Sequence, residues 1–196
     1  ISKVKQVLFG AVVRTRARTV GKGLKVNRYS WVSKSVVLGD NVNFNGMRIV
    51  GEGEIRIGSN FHSGRGCSII GSFHDFDYGD AVPYGMAKID KDVVIEDNVW
   101  LGDQVIVLGG AHIGEGAVIQ AGSVVVDHVP KGAVAGGHPA KMFKMRDMDH
   151  YAAGQCNLAL HKVWLERSGE TIDWLFFDHG FLLNNHYVQH NPTGKL

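Results

Sequence analysis

The feature that most restricts how this chain can fold is a period of six. Ile89, Ile95, Leu101, Val107, Ile113, Ile119 and Val125 share one phase, and all are aliphatic. A second phase runs upstream through Val20, Val26, Val32, Leu38, Phe44 and Val50, and a shorter third holds Ile57 and Ile69 with Ser63 between them. Two residues before the downstream anchors stand Val93, Val99, Val105, Ala111, Ala117 and Ser123, all small or aliphatic. Three residues after many anchors stand Asn41, Asn60, Asn98, Gly110, Gly116 and Gly122, types that accept positive φ at little cost. Such a period fits neither an amphipathic helix nor a simple alternating strand. It fits short strands joined by tight corners, three hexapeptides closing a coil of about 18 residues and coils stacking about 4.8 Å apart. Residues 20–71 supply about three coils and residues 89–136 nearly three more. A parallel sheet with crossover helices is the competing reading, and it fails because no helix-length segment separates the strand-like runs before residue 140.

The rhythm breaks once. A step of about 18 from Ile69 lands on Ala87, yet the next phase begins at Ile89, so residues 72–88 are expected to leave the column as a loop. A loop on a rigid column can carry a side chain to a place that a flat face cannot. The expected organisation is a basic N-terminal segment over 1–19, an all-β solenoid over 20–144 and an extension over 145–196. In the extension, residues 156–168 read as a short helix stopped near Gly169, and Thr171 caps a second one ended by Gly180. Phe176, Phe177, Phe181, Leu182 and Leu183 are apolar enough to need cover, from the open end of the column, a neighbouring chain or a lipid carrier.

Charge is unevenly spread. Residues 1–39 hold nine basic residues and no acidic one, which leaves 12 basic against 19 acidic residues in the remainder. Two readings stay open for the basic end: a solvated segment without a partner, or a contact with an anionic membrane surface, a lipid-linked sugar or a polyanion. No helix-turn-helix or aromatic–basic pattern accompanies the charge, so nucleic acid is not an expected partner. The apolar run Val7–Val13 is too short to span a bilayer, and no signal-peptide cleavage pattern follows it. Cys67 and Cys156 form neither a metal spacing nor a disulfide framework, which suggests a reducing, cytoplasmic setting.

The stretch VVIEDNVWLGDQVIVLGGAHIGEGAVIQAGSVVVDHVPKGAVAGGHPAKMFKMRD resembles the hexapeptide-repeat acyltransferases, and within them the sugar and xenobiotic O-acetyltransferases. NFHSGRGCSII, FHDFD and PYG together are similar to the active-site passage of bacterial exopolysaccharide and O-antigen acetyltransferases. The resemblance covers roughly residues 20–148. It implies a left-handed parallel β-helix, a homotrimer with active sites in clefts between subunits, and acetyl-CoA as acyl donor, with no metal required. It also implies an acceptor that is a saccharide hydroxyl, free or lipid-linked, in an enzyme working in the cytoplasm or at the inner face of the membrane. Transfer to the amine of an amino sugar or antibiotic, and a non-catalytic scaffold, are the alternatives.

On that resemblance His74 is the expected general base, and Asp75 or a backbone carbonyl the group that fixes its tautomer. His62, Arg65, Asp77, Tyr84 and Trp100 are candidates for acceptor contacts. Trp100 precedes an inward anchor, so it points away from the core and is expected to be covered in an oligomer. Gly109, Gly110, Ala121 and Gly122 would let a pantetheine arm lie close to backbone, and Lys141, Lys144 and Arg146 would meet the CoA phosphates. Where many relatives carry Thr-Lys after Ser-Val-Val, this chain has Val126 and Asp127. His62, His112, His128 and His138 lack the spacing of a three-histidine zinc site, so a metal centre is not expected.

Overall fold

The computed structural model describes residues 2–155. The chain divides into two compact units at Asp149–His150. The first is a parallel β-solenoid of about six turns preceded by a helix. Residues 148–155 are helical, and residues 150–155 are the described part of the second unit. The helices and the apolar cluster expected beyond residue 156 lie outside the described residues.

Three parallel sheets form the faces of the solenoid. Face one runs through Thr19–Val20, Val36–Leu38, Ile55–Ile57, Val93–Ile95 and His112–Ile113. Face two runs through Lys25–Arg28, Asn43–Asn45, His62–Arg65, Trp100–Leu101, Val118–Ile119 and Ala133–Gly136, and ends in an antiparallel strand, Lys141–Met145. Face three holds Arg48–Val50, Ser68–Ile70, Ile106–Leu108 and Val124–Val125. In register, Ile95 pairs with Ile113, Leu101 with Ile119 and Val107 with Val125, each a step of 18 residues. These six side chains are buried, as are the companions Val93, Val99, Val105, Ala111, Ala117 and Ser123. Burying one aliphatic side chain contributes about 1.5–3 kcal/mol, so a column of stacked anchors is the main stabilising term of the unit. Polar residues at inward positions of the repeat have their hydroxyls satisfied: Ser63 accepts from the Asn45 N–H and Ser123 from the Gly137 N–H, both at 3.1 Å.

The corners explain the small residues. Asn41, Asn60, Asn98, Gly110, Gly116 and Gly122 all have positive φ, and Gln104 (58°) joins them. The asparagines also form a ladder: Asn41 Nδ2 donates to Asn60 Oδ1 (3.2 Å), and Asn60 Nδ2 to Asn98 Oδ1 (3.0 Å). Just before two of these corners, aspartate carboxylates take up backbone donors of the adjacent coil. Asp40 accepts from the Lys22 N–H and Asp97 from the Ser59 N–H, at 2.7 and 2.6 Å. Gly102 is needed for a different reason. A Cβ there would lie 2.5 Å from the Ala121 nitrogen and 2.8 Å from its Cα, because the next coil passes directly beside it.

Two expectations change. Ile89 is not an inward anchor: it pairs with Phe73 in a hairpin and is 37% exposed, because the column resumes only at Val93. At the end of the upstream phase Ile49, not Val50, is the buried residue and stacks on Ile69, since the coil shortens by one between Phe44 and Ile49. The basic segment contains helix α1, Lys3–Arg16, which has Ser2 as its N-cap, carries Arg14 and Arg16 in its last turn and buries Gly10 and Val13.

Replacing Gly102 by alanine should lower the free energy of unfolding by about 1–3 kcal/mol, since backbone must move to admit the methyl group. Gly10→Ala, in a helix interior with nothing within 4 Å of the added carbon, should instead raise it by about 0.5–1 kcal/mol. Urea denaturation of the two variants checks both signs.

Candidate active site

The break in the rhythm is an antiparallel hairpin. Ser72–His74 pairs with Lys88–Asp90, with His74 opposite Lys88. Across it, coil-to-coil registry jumps by 38 residues, Ile69 to Val107, instead of 18. The hairpin leaves from the edge between faces three and one. Its root is fixed by the column: the Gly71 N–H donates to Val50 O, the Lys91 N–H donates to Gly71 O (both 2.8 Å), and the Ser72 hydroxyl binds the Asp90 carboxylate. Lys91 Nζ also sits 5.6 Å above the Phe73 ring.

At the end of the first strand, His74 Nδ1 lies 3.1 Å from the carbonyl oxygen of Gly85. A carbonyl only accepts, so Nδ1 carries the proton; in the neutral ring Nε2 then holds a free lone pair. Tyr84 stacks on the imidazole, with centroids 4.0 Å apart and planes 24° from parallel. Gly85 is buried, and a Cβ there would run into Asp80. The residue that orients the histidine is therefore held from behind by close packing of the loop.

Asp75 does something else. Its Oδ1 accepts from the N–H groups of Asp77 (3.2 Å) and Tyr78 (2.9 Å), closing the turn after the histidine. The orienting role expected of Asp75 or a carbonyl falls to the Gly85 carbonyl. Asp77 is exposed in this same turn.

The remaining candidates are spread over other surfaces. His62 and Trp100 are register partners on face two, whereas the hairpin of His74 and Tyr84 leaves the edge between faces three and one. Trp100 points outward and is 52% exposed. Arg65 is paired with an acid of the next coil: its Nε binds Asp103 Oδ2 at 3.0 Å, and its backbone N–H donates to Asp103 Oδ1 at 2.7 Å. That N–H, with the guanidinium behind it, holds the Asp103 carboxyl below its ordinary value. Burial pushes the His62 imidazole below its usual value, opposed by the Asp103 carboxylate.

Gly109 and Gly110 form the corner of the next coil on the same edge as the hairpin; the Gly109 N–H donates to Ile70 O, and a Cβ on Gly109 would lie 2.9 Å from Lys91 Cβ. Ala121 and Gly122 form a corner on the edge between faces two and three, where nothing lies within 4 Å of a Cβ built on Gly122. Lys141 and Lys144 are exposed on the last strand of face two. Arg146 leaves their cluster, donating from a guanidinium nitrogen to the Gly116 carbonyl at 3.0 Å.

Sequence reasoning missed Gly85 and Lys91. Gly85 directly follows the stacked Tyr84, and a glycine at a loop neck is a readable sign of close backbone approach. It also missed the His112–Glu96 pair on face one, 2.7 Å apart, where the imidazole bond holds the Glu96 carboxyl low. Among the described residues, no group of three or more His, Cys, Asp or Glu is arranged to hold a metal ion.

Residues 92–127 match the family of bacterial transferase hexapeptides (six repeats). The maltose O-acetyltransferase of Clostridium difficile 630 superposes with a TM-score of 0.65 at 27% identity, over 74% of this chain and 78% of that one. Residues 92–127 thus carry the hexapeptide repeat of bacterial transferases, and the solenoid is similar to those of hexapeptide-repeat acetyltransferases. Galactoside acetyltransferase in complex with coenzyme A is another structural relative, with a TM-score of 0.64, 25% identity, and 76% and 74% of the two chains covered. The tetrahydropyridine-2,6-dicarboxylate N-acetyltransferase of Clostridium perfringens is 50% identical over 54 residues, 28% of this chain and 23% of that one. The matched stretches span less than half the length of the curated sequence relatives, 41% and 23% of two of them.

His62 gives the hexapeptide-repeat column a pH signature. With the folded-state value depressed, the neutral ring favours the fold, so its contribution is full above the ordinary imidazole range and is lost as pH falls toward the folded value. Urea midpoints measured from about pH 8 down to about pH 5 should fall, and His62→Gln should flatten that fall.

Proposed function

We propose that this chain is an acetyl-CoA-dependent O-acetyltransferase acting on a saccharide hydroxyl, with His74 as general base. The observation that carries the reading is the His74 ring itself: Nδ1 is engaged by the Gly85 carbonyl and Nε2 is left as acceptor. The hairpin roots directly beside the Gly109–Gly110 corner.

In this reading His74 Nε2 takes the proton from the acceptor hydroxyl as its oxygen attacks the thioester carbonyl. The C–O bond forms, the C–S bond breaks, and the imidazolium returns its proton to the departing sulfur. Backbone N–H groups at a coil corner are the donors suited to the oxyanion. Tyr84 holds the ring against rotation by stacking. The residues present suit the donor: open space at Gly122 and the exposed Lys141 and Lys144 offer room for an arm and charge for phosphates. The activities of the maltose and galactoside relatives favour a sugar acceptor.

The reading includes a homotrimer. Trp100, half-exposed on face two, is the kind of apolar group that packing of faces would cover, and a neighbour's face two could meet the hairpin that this chain's own face two does not carry. Sedimentation should then give three times the chain mass.

Free-thiol release from acetyl-CoA with a panel of sugars, lipid-linked saccharides and aminosugars tests the activity. Release with hydroxyl acceptors is expected, reduced at least about 100-fold in His74→Ala with the oligomer unchanged. Gly85→Ala should reduce kcat more than KM, because it moves the carbonyl that sets the tautomer. Release only with amine acceptors would replace O-transfer by N-transfer. No release with any acceptor, and indifference to His74→Ala, would make the chain a scaffold.

A further inference from the structure

Helix α1 packs on the first coil by one side only. Gly10 and Val13 are buried, Phe9 is partly buried against the core, and Gln6 donates to Asn27 at 2.6 Å. At about 100° per residue, the opposite side carries Val4, Val7, Leu8 and Ala11 in one stripe. Val4, Val7 and Leu8 are 68%, 70% and 59% exposed. Cations border that stripe on both sides: Lys3 and Arg14 on one, Lys5 on the other. On the Lys5 side stand two more exposed aromatics. Tyr29 makes an edge contact with Phe9, and Trp31 lies under the Arg16 guanidinium at 3.4 Å.

We propose that this face docks on an anionic lipid bilayer surface. An outward apolar stripe flanked by Lys and Arg is the arrangement of a helix lying in the interface plane, apolar side down and cations at the headgroups. Tyr and Trp with one apolar and one polar end suit the same depth. The helix, about 21 Å long, cannot cross a bilayer, and no described helix is long and apolar enough to do so. Charge selects the partner. The first 39 residues hold nine cations and no anion, which favours an anionic surface over an apolar patch on another protein. The stripe faces away from the solenoid core, on the side of the helix opposite Gly10 and Val13.

The test is co-sedimentation of the full chain with vesicles of equimolar phosphatidylglycerol and phosphatidylcholine, against phosphatidylcholine alone. The expected result is binding to the anionic vesicles only, weakened by salt raised from about 0.05 M to about 0.5 M. Val7→Glu with Leu8→Glu should reduce it at least about tenfold, and both side chains already face solvent, so the helix should persist. Lys3→Glu with Lys5→Glu should reduce binding and its salt dependence together, an independent readout. Absent binding, equal binding to neutral vesicles, or binding indifferent to both double variants would overturn the proposal. So would a change of oligomeric state in the Val7→Glu, Leu8→Glu chain without lipid, which would make the face a contact between copies.

Discussion

Each coil of this chain must lie against the next at the spacing of paired strands, and that constraint governs the rest. It requires inward aliphatics that stack on their counterparts, such as Leu101 on Ile119. It also requires corners tight enough to turn within two or three residues, supplied by positive φ at Asn41, Asn60, Asn98, Gly110, Gly116 and Gly122. Where the neighbouring backbone passes closest, as at Gly102, it removes the side chain altogether. The polar groups exposed by turning are not left idle: asparagine amides link coil to coil and aspartates cap N–H groups of the preceding turn.

Such a column is rigid and repetitive, and its flat faces are poor places for chemistry. The hairpin at 72–90 resolves this conflict. Its root is bonded into the coils on either side, while its far part is free of the repeat and folds on itself. Three local interactions then set the histidine: the Gly85 carbonyl on Nδ1, Tyr84 across the ring, and the Asp75 carboxylate closing the turn that follows. Gly79 and Gly85 permit this compaction, since a Cβ on Gly79 would lie 2.5 Å from Asp75 O. Precision at the imidazole thus comes from the loop, and position from the column.

The repeat was largely legible because it is written in side-chain size. Inward positions tolerate little but aliphatics, and corners little but Asn and Gly. Legibility failed where two aliphatics adjoin, as at Ile49 and Val50, since either can serve as an anchor and only the coil length decides. It failed at Ile89, where a hairpin residue imitates the period. Among candidate site residues, the histidine stood out because it lies where the period stops. Its orienting partner did not, because a backbone carbonyl has no sequence signature. Arg65 looked available because its partner Asp103 lies 38 residues away, one looped coil on. Helix α1 was written in apolar residues at helical spacing, but its run Val7–Val13 was weighed only against the length of a membrane span.

The claim on which the functional account turns is that the hairpin fixes the proton of the neutral His74 ring on Nδ1. Nitrogen-15 NMR of the imidazole at mildly alkaline pH reads this directly, with His74→Gln assigning the signal. The account predicts a protonated Nδ1 and a bare Nε2, with the preference weakened in Gly85→Ala. A ring protonated on Nε2, or one exchanging freely between tautomers in the native chain, would contradict it.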